Sequence, residues 1–418
     1  MLVVLANSWA LLLGVMLLMV GNGVQGTLLG VRGAIEGFST FEMSMVMSAY
    51  FLGFLFGSRL APELIRRVGH VRVFAALGSM ISALLVLYAV APNPVAWILM
   101  RVVMGFCFSG VYVTAESWLN NSATNETRGQ ALSAYMIVQM IGIIGAQGLM
   151  NVGDAGGYLL FVLPSVLVSI AFTPILLSVS PAPVFETTQS MSFRKLFVAS
   201  PLGCIGIFLM GGVFSALFGM ASVWGTQAGL SVAQLTIFIA TIYLGGLLFQ
   251  YPIGWFSDRM DRRRLILIVS AVGTGAMVLP VLINPPFEVL LVLALVIGGV
   301  SNPLYSLLLA HTNDFLDQRD MAAASGGLLF INGVGAISGP LITAWMMSLV
   351  GINGFFLYIA VLLAVLTAYA GWRATQRPAP AVETTGGFTT VTPVGTAVAL
   401  EAVMEVAQDS APDSDAAA

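Results

Sequence analysis

Arg101 and Glu116 are charged residues inside one long apolar run, residues 94–119. A charge at membrane depth costs about 2.5–3.5 kcal/mol on insertion scales and turns toward a protein interior. At 3.6 residues per turn, Arg101, Gly105, Ser109, Tyr112, Glu116 and Asn120 fall within about 100° of one another. The run therefore carries one polar stripe. A guanidinium on such a stripe can hold an anionic group or tie two helices together. A carboxylate there can exchange a proton, or act as a gate in an ion pair. The two charges lie roughly 22 Å apart along a helix, so each needs another partner.

Uncharged polar residues interrupt other apolar runs. They are Asn22 and Gln25, Tyr135 and Gln139, Trp224 and Gln227, Asn302 with Tyr305 and Ser306, and Asn332. Each can contact a solute or serve as a hydrogen bond between helices. Asp258 and Arg259 end another run. A carboxylate and guanidinium there can clamp neighbouring helix ends and release on switching. Alternatively, the arginines only hold their loop on one side of a membrane.

Other chemistries lack their residues. There is no CxxC or HExxH spacing, and His70 and His311 are far apart, so no metal site is expected. Cys107 and Cys204 sit in apolar runs and read as small core residues. The single lysine, Lys195, is not in a phosphate-binding Gly-rich loop, which excludes an ATPase of that type. No catalytic constellation and no cofactor motif appears, so the chain reads as a non-enzyme.

The elements that must position these residues follow from composition. The chain is 58% hydrophobic and 8% charged, against about 25% charged residues in a soluble domain. A bilayer span needs about 20 apolar residues. Cutting at charged, Pro and Asn clusters predicts twelve spans at roughly 5–30, 41–61, 71–91, 94–119, 128–152, 157–179, 198–228, 232–256, 264–283, 286–311, 321–348 and 353–374. The first run lacks a positive flank and is too long for a signal peptide, so it reads as an uncleaved span. All basic residues but Arg32 and Arg101 fall on one side of this alternation, predicting cytoplasmic loops and cytoplasmic termini. No basic patch with interleaved aromatics marks a nucleic-acid partner.

The chain divides into a six-helix half (1–180), a central cytoplasmic linker (181–197), a second six-helix half (198–374) and a tail (375–418). The tail is rich in Ala, Thr, Pro and acid and is expected to be disordered. The halves repeat each other weakly. Tyr112-x7-Asn120-Asn121 and Tyr305-x7-Asn313-Asp314 share their spacing, a signature of transporters built from repeats.

Gly254-Trp-Phe-Ser-Asp258-Arg259-Met-Asp261-Arg262-Arg263-Arg264 resembles the loop signature of the major facilitator superfamily, with Asp261 in place of the second Gly. The first-half copy, Gly57-Ser-Arg-Leu-Ala-Pro-Glu63, lacks the Asp-Arg pair. Arg101-Val-Val-Met-Gly105 resembles the superfamily's membrane-embedded Arg motif. Arg101 to Asn121, followed by Arg128-Gly129 and Tyr135, is similar to the YcaD-like subgroup. The resemblance implies an all-α membrane protein of twelve helices in two pseudo-symmetric bundles, a monomer, and a cavity lined by spans 1, 4, 7 and 10.

On this basis the substrate-cavity candidates are Asn22, Gln25, Arg101, Tyr112, Gln139, Asn302, Tyr305 and Asn332. Glu116, Asp258 and Arg259 are coupling or gate candidates. The glycines Gly53-x3-Gly57 and Gly335-x3-Gly339 are expected to form a sliding contact between halves, or else ordinary packing within each half. The expected function is secondary active transport of a small organic solute across a bacterial inner membrane. Protons are the coupling ion and efflux is favoured over uptake. The rivals are an uptake symporter or uniporter for a small anion, with Arg101 as its partner, and a transporter-like scaffold that moves nothing.

Overall fold

A computed structural model describes residues 2–177, 191–316, 318–376 and 386–409. Twelve helices in it are long and apolar enough to cross a membrane. In the first half they are α1 (Leu2–Ile35), α2 (Thr40–Val68), α3 (His70–Val90), α4 (Pro94–Ser122), α5 (Asn125–Leu149) and α6 (Leu159–Leu176). The second half contains α7 (Pro201–Gln227), α8 (Val232–Ser257), α9 (Arg262–Ile283), α10 (Phe287–Asn313), α11 (Gln318–Val350) and α12 (Gly354–Ala374). A short helix, Phe193–Ala199, precedes α7, and α13 (Ala397–Asp409) follows the last span.

Local chemistry sets the boundaries. Ser39 and Glu42 cap α2 reciprocally, and Ser231 and Gln234 do the same for α8. Asn93 accepts from Val95 N and Ala96 N, and Pro94 opens α4 where a missing N–H does no harm. Gly69 separates α2 from α3 at φ 88°, a conformation open to glycine.

Glycines fix the core of each half. A Cβ on Gly53 would lie 1.8 Å from Val102 O, and one on Gly105 1.9 Å from Tyr50 O. The backbones of α2 and α4 therefore touch. The second half repeats the device. A Cβ on Gly245 would lie 2.1 Å from Leu295 O, and one on Gly298 1.8 Å from Ile242 O, joining α8 to α10. Gly335 and Gly339 abut Phe208 O and Ser215 Oγ of α7. The glycine pairs of α2 and α11 thus pack within their own halves. Where α2 and α11 face each other, side chains meet instead, such as Leu55 at Gly333.

One end of the bundle carries the arginine-rich α2–α3 and α8–α9 loops and is here termed the basic end. At the opposite end the halves are joined. Gln227 Nε2 donates to Thr40 Oγ1 at 2.6 Å, Asn151 Nδ2 to Thr236 Oγ1 at 3.1 Å, and Ser222 Oγ to Gly26 O at 3.3 Å. At the basic end, residues 386–404 fill the gap. Val391, Thr396, Leu400, Ala402 and Met404 are buried there, and α13 packs on α4, α5, α10 and α11.

Of the tail, residues 386–409 lie against the basic end, with a helix over Ala397–Asp409. A composition too poor in apolar residues for a core of its own suffices for a segment that enters an existing one. The remaining tail stretches, 377–385 and 410–418, and linker residues 181–190 lie outside the described residues. Linker residue Met191 donates its N–H to Ala323 O at 2.8 Å, and Lys195 pairs with Asp320 at 2.6 Å.

Candidate functional site

A cavity lies between the halves. Asn22, Thr27, Tyr50, Arg101, Tyr112, Gln139 and Gln147 line it from the first half; Phe214, Phe218, Ser222, Tyr243 and Asn302 line it from the second. Thr392 and Val394 of the tail form its wall toward the basic end. The Phe51, Phe214, Phe218 and Tyr243 rings follow one another with centroids 6.5, 4.4 and 4.5 Å apart. Beside Phe214, α7 loosens into one π-helical turn, Ala216–Met220. Such turns occur frequently at functional sites, and Leu217, Phe218 and Gly219 of this one face the cavity.

Arg101 is the cavity's one charged residue among the described lining. It is 5% exposed. Nη1 donates to Gln25 Oε1 at 2.7 Å, Nη2 contacts Met47 Sδ at 3.2 Å, and the guanidinium carbon sits 4.9 Å from the Tyr50 ring centroid. Nε has no partner, and no carboxylate of the described residues is within ion-pair distance. Asn22 Nδ2 donates to Tyr112 OH at 3.3 Å, which places that phenol at the α1–α4 seam. Thr27 Oγ1 donates to Gln147 Oε1 at 3.0 Å.

Of the sequence candidates, Asn22, Arg101, Tyr112, Gln139 and Asn302 meet at this cavity. Gln25 supports Arg101 from behind. Tyr305 is fully buried off the cavity wall. Asn332 lies in a separate small pocket beside Phe51 and Pro393, and donates to Pro393 O at 2.7 Å. The α4 stripe divides. Arg101 and Tyr112 face the cavity, whereas Gly105 and Ser109 supply the close approach to α2. Glu116 is 1% exposed and has no cationic partner among the described residues. Tyr135 OH donates to it at 3.2 Å, as do Thr396 N at 3.1 Å and Thr396 Oγ1.

Asp258 and Arg259, the candidate clamp of neighbouring helix ends, take separate partners, and Asp258 lies 3.9 Å from Arg262. Arg259, just past the end of α8, stacks on Trp255 of that helix, 4.2 Å from the ring centroid, and donates to Trp255 O. Asp258 accepts from Phe388 N at 2.8 Å. The buried ion pair is instead Arg262 with Asp314, between α9 and α10. Burial raises the Asp314 carboxyl above its ordinary value, and Arg262 acts against that rise. The repeat had singled out Asp314 by position, but not by role. Sequence reasoning also missed Tyr50, Thr27 and Gln147, which carry no spacing signal, and the tail residues Thr392 and Val394.

Residues 11–246 and 203–405 match the sequence profile of the Major Facilitator Superfamily. The chain belongs to the major facilitator superfamily. It is 28% identical over 377 residues to the uncharacterised MFS-type transporter YcaD of Salmonella arizonae, covering 88% of this chain and 96% of that protein. YcaD of Escherichia coli O45:K1 is 29% identical over 360 residues, covering 84% and 91%. Among solved structures, the nucleoside transporter NupG superposes with a TM-score of 0.72 at 16% identity, covering 89% of this chain and all (100%) of that one. A bacterial homologue of the human lysosomal transporter Spinster, inward-facing and occupied, gives 0.70 at 15% identity, with 89% and 97% covered. These likenesses show the fold. As a member of the major facilitator superfamily, the chain is a multi-pass membrane transporter.

Proposed function

We propose that this transporter moves a small organic solute with an apolar body and an anionic or strongly electronegative group, by alternating access across the bacterial inner membrane. The uncompensated guanidinium of Arg101 carries this reading. A buried cation without a counter-charge is costly, and a solute group in the adjoining cavity would supply the missing partner. Arg101 presents a planar donor set suited to a carboxylate or phosphate. The neighbouring row of aromatic rings suits the apolar body and supports efflux as the direction.

The excess of arginine at the basic end supports a cytoplasmic location for that end and both termini. Protons are the proposed coupling ion. Glu116 is the buried carboxylate within a span among the described residues, and a buried acid that can gain and lose a proton is what coupling requires.

The test is thermal stabilisation of the purified protein across organic anions, neutral metabolites and amphiphiles, with Arg101→Ala in parallel. A ligand at a hundredfold excess over Kd adds about 2.7 kcal/mol of stability. Organic anions are expected to raise the Tm of the wild type and not of a folded Arg101→Ala. Hits that stabilise both proteins equally would remove Arg101 from the site.

A further inference from the structure

We propose that the vestibule at the basic end is a polypeptide-binding site, and that residues 386–404 of this same chain are its ligand. While bound, the segment stops the cavity toward that end and props the two halves apart.

The site is built from both halves and reads main chain. Asp258 Oδ1 accepts from Phe388 N at 2.8 Å. Ser306 of α10 both donates to Val391 O and accepts from Val391 N, each at 3.0 Å. Asn332 of α11 donates to Pro393 O at 2.7 Å. Glu116 of α4 accepts from Thr396 N at 3.1 Å and from Thr396 Oγ1. Arg262 donates to Gly386 O. The tail therefore brings main-chain donors and acceptors to side chains of both halves, the buried Ser306, Asn332 and Glu116 among them, and adds to the partners that Glu116, Asp258 and Arg262 already have. The Glu116 carboxylate also lies where α13 begins, the end of a helix that favours negative charge.

Two side-chain features set the register. The Phe388 ring packs where Gly254 has no Cβ: a Cβ there would lie 2.5 Å from Phe388 Cδ1. Beyond Thr396, α13 turns Leu400, Ala402, Val403 and Met404 inward, each at most 4% exposed, and Ser325 Oγ contacts Met404 Sδ at 3.3 Å.

The mechanical consequence follows from geometry. Thr392 and Val394 wall the cavity, so a solute cannot pass to the basic end while they are in place. Opening the opposite end requires the halves to close at the basic end, where Thr396 and Leu400 now sit at 0% exposure. The segment must leave before either movement. Its tether makes the binding intramolecular, at an effective concentration of order millimolar, so even a weak site is mostly filled until a competitor or partner draws the tail out.

The test uses the full chain in membranes with no solute, so its outcome is independent of the Arg101 reading. Cys107 and Cys204 are replaced by Ala and one reporter, Ser325→Cys, is introduced under α13. Labelling by a membrane-impermeant maleimide from the basic side is then timed. The full chain is expected to label at least tenfold more slowly than a chain ending at residue 385. Thr396→Glu places a carboxylate against Glu116 and expels the segment without shortening the protein; it is expected to label as fast as the truncation. A synthetic peptide of residues 386–409 should slow labelling of the truncated protein, and a scrambled peptide should not. Equal labelling of the full chain and Thr396→Glu overturns the proposal, whether or not the truncation folds. So does a truncated, folded protein that the peptide fails to protect.

Discussion

Arg101 and Glu116 occupy one helix and were both conspicuous as charges in an apolar run, yet their surroundings differ in kind. Arg101 faces a cavity with one polar neighbour, Gln25, and an aromatic face, Tyr50. Glu116 faces polypeptide and its hydrogen-bonding capacity is taken by Tyr135 and Thr396. If Glu116 is the coupling group, it must exchange its proton after the tail has left. Glu116→Gln in the tail-truncated protein keeps the shape of the side chain and removes its titration. Solute-driven proton movement is expected to fall to background in that variant while solute binding persists. Undiminished proton movement, measured with a pH dye in vesicles, would place coupling elsewhere.

At the scale of elements, the decisive contacts are backbone against backbone. Helices α2 and α4 meet at Gly53 and Gly105, and α8 and α10 meet at Gly245 and Gly298. Lipid gives helices no hydrophobic reason to associate, so close packing must supply it. Gly298→Val places branched carbon onto Ile242 O, which cannot move without its helix. Overpacking of this sort costs typically 1–3 kcal/mol and occasionally more. Loss of folded protein on fluorescence-detected size exclusion is expected for Gly298→Val. Gly275→Val, where a Cβ meets nothing within 4 Å, should behave as wild type. If the two variants behave alike, the α8–α10 approach is not what holds that half together.

At the scale of the molecule, two closures are set against each other. The opposite end is held by a few interhelical hydrogen bonds, Gln227 to Thr40 and Asn151 to Thr236 among them. The basic end is held apart by the inserted segment. Hydrogen bonds of this type contribute about 0.6 kcal/mol each in membranes, so the opposite end can open once the segment is gone. Bridging Asn151→Cys to Thr236→Cys with a short thiol-reactive linker should stop solute exchange, and cleaving the bridge should restore it. Exchange that continues through an intact bridge would contradict alternating access.

Span number, helix type and the two-fold repeat were legible in the sequence because they are one-dimensional: about 20 apolar residues cross a bilayer, and punctuation by Asn93-Pro94 or Asn284-Pro285 is local. Arg101, Asn22, Tyr112, Gln139 and Asn302 were legible as costly polar groups on apolar helices. Which of them share a cavity was not, since helical periodicity assigns a face but not the neighbour that face meets. Gly105 and Ser109 lie on the same stripe as Arg101, yet the tertiary structure spends them on α2. The pairing of Arg262 with Asp314 and the seating of residues 386–404 depended on packing alone. The tail carries too little apolar surface to fold by itself. It becomes ordered where two halves, distant in sequence, present buried groups that its main chain can satisfy.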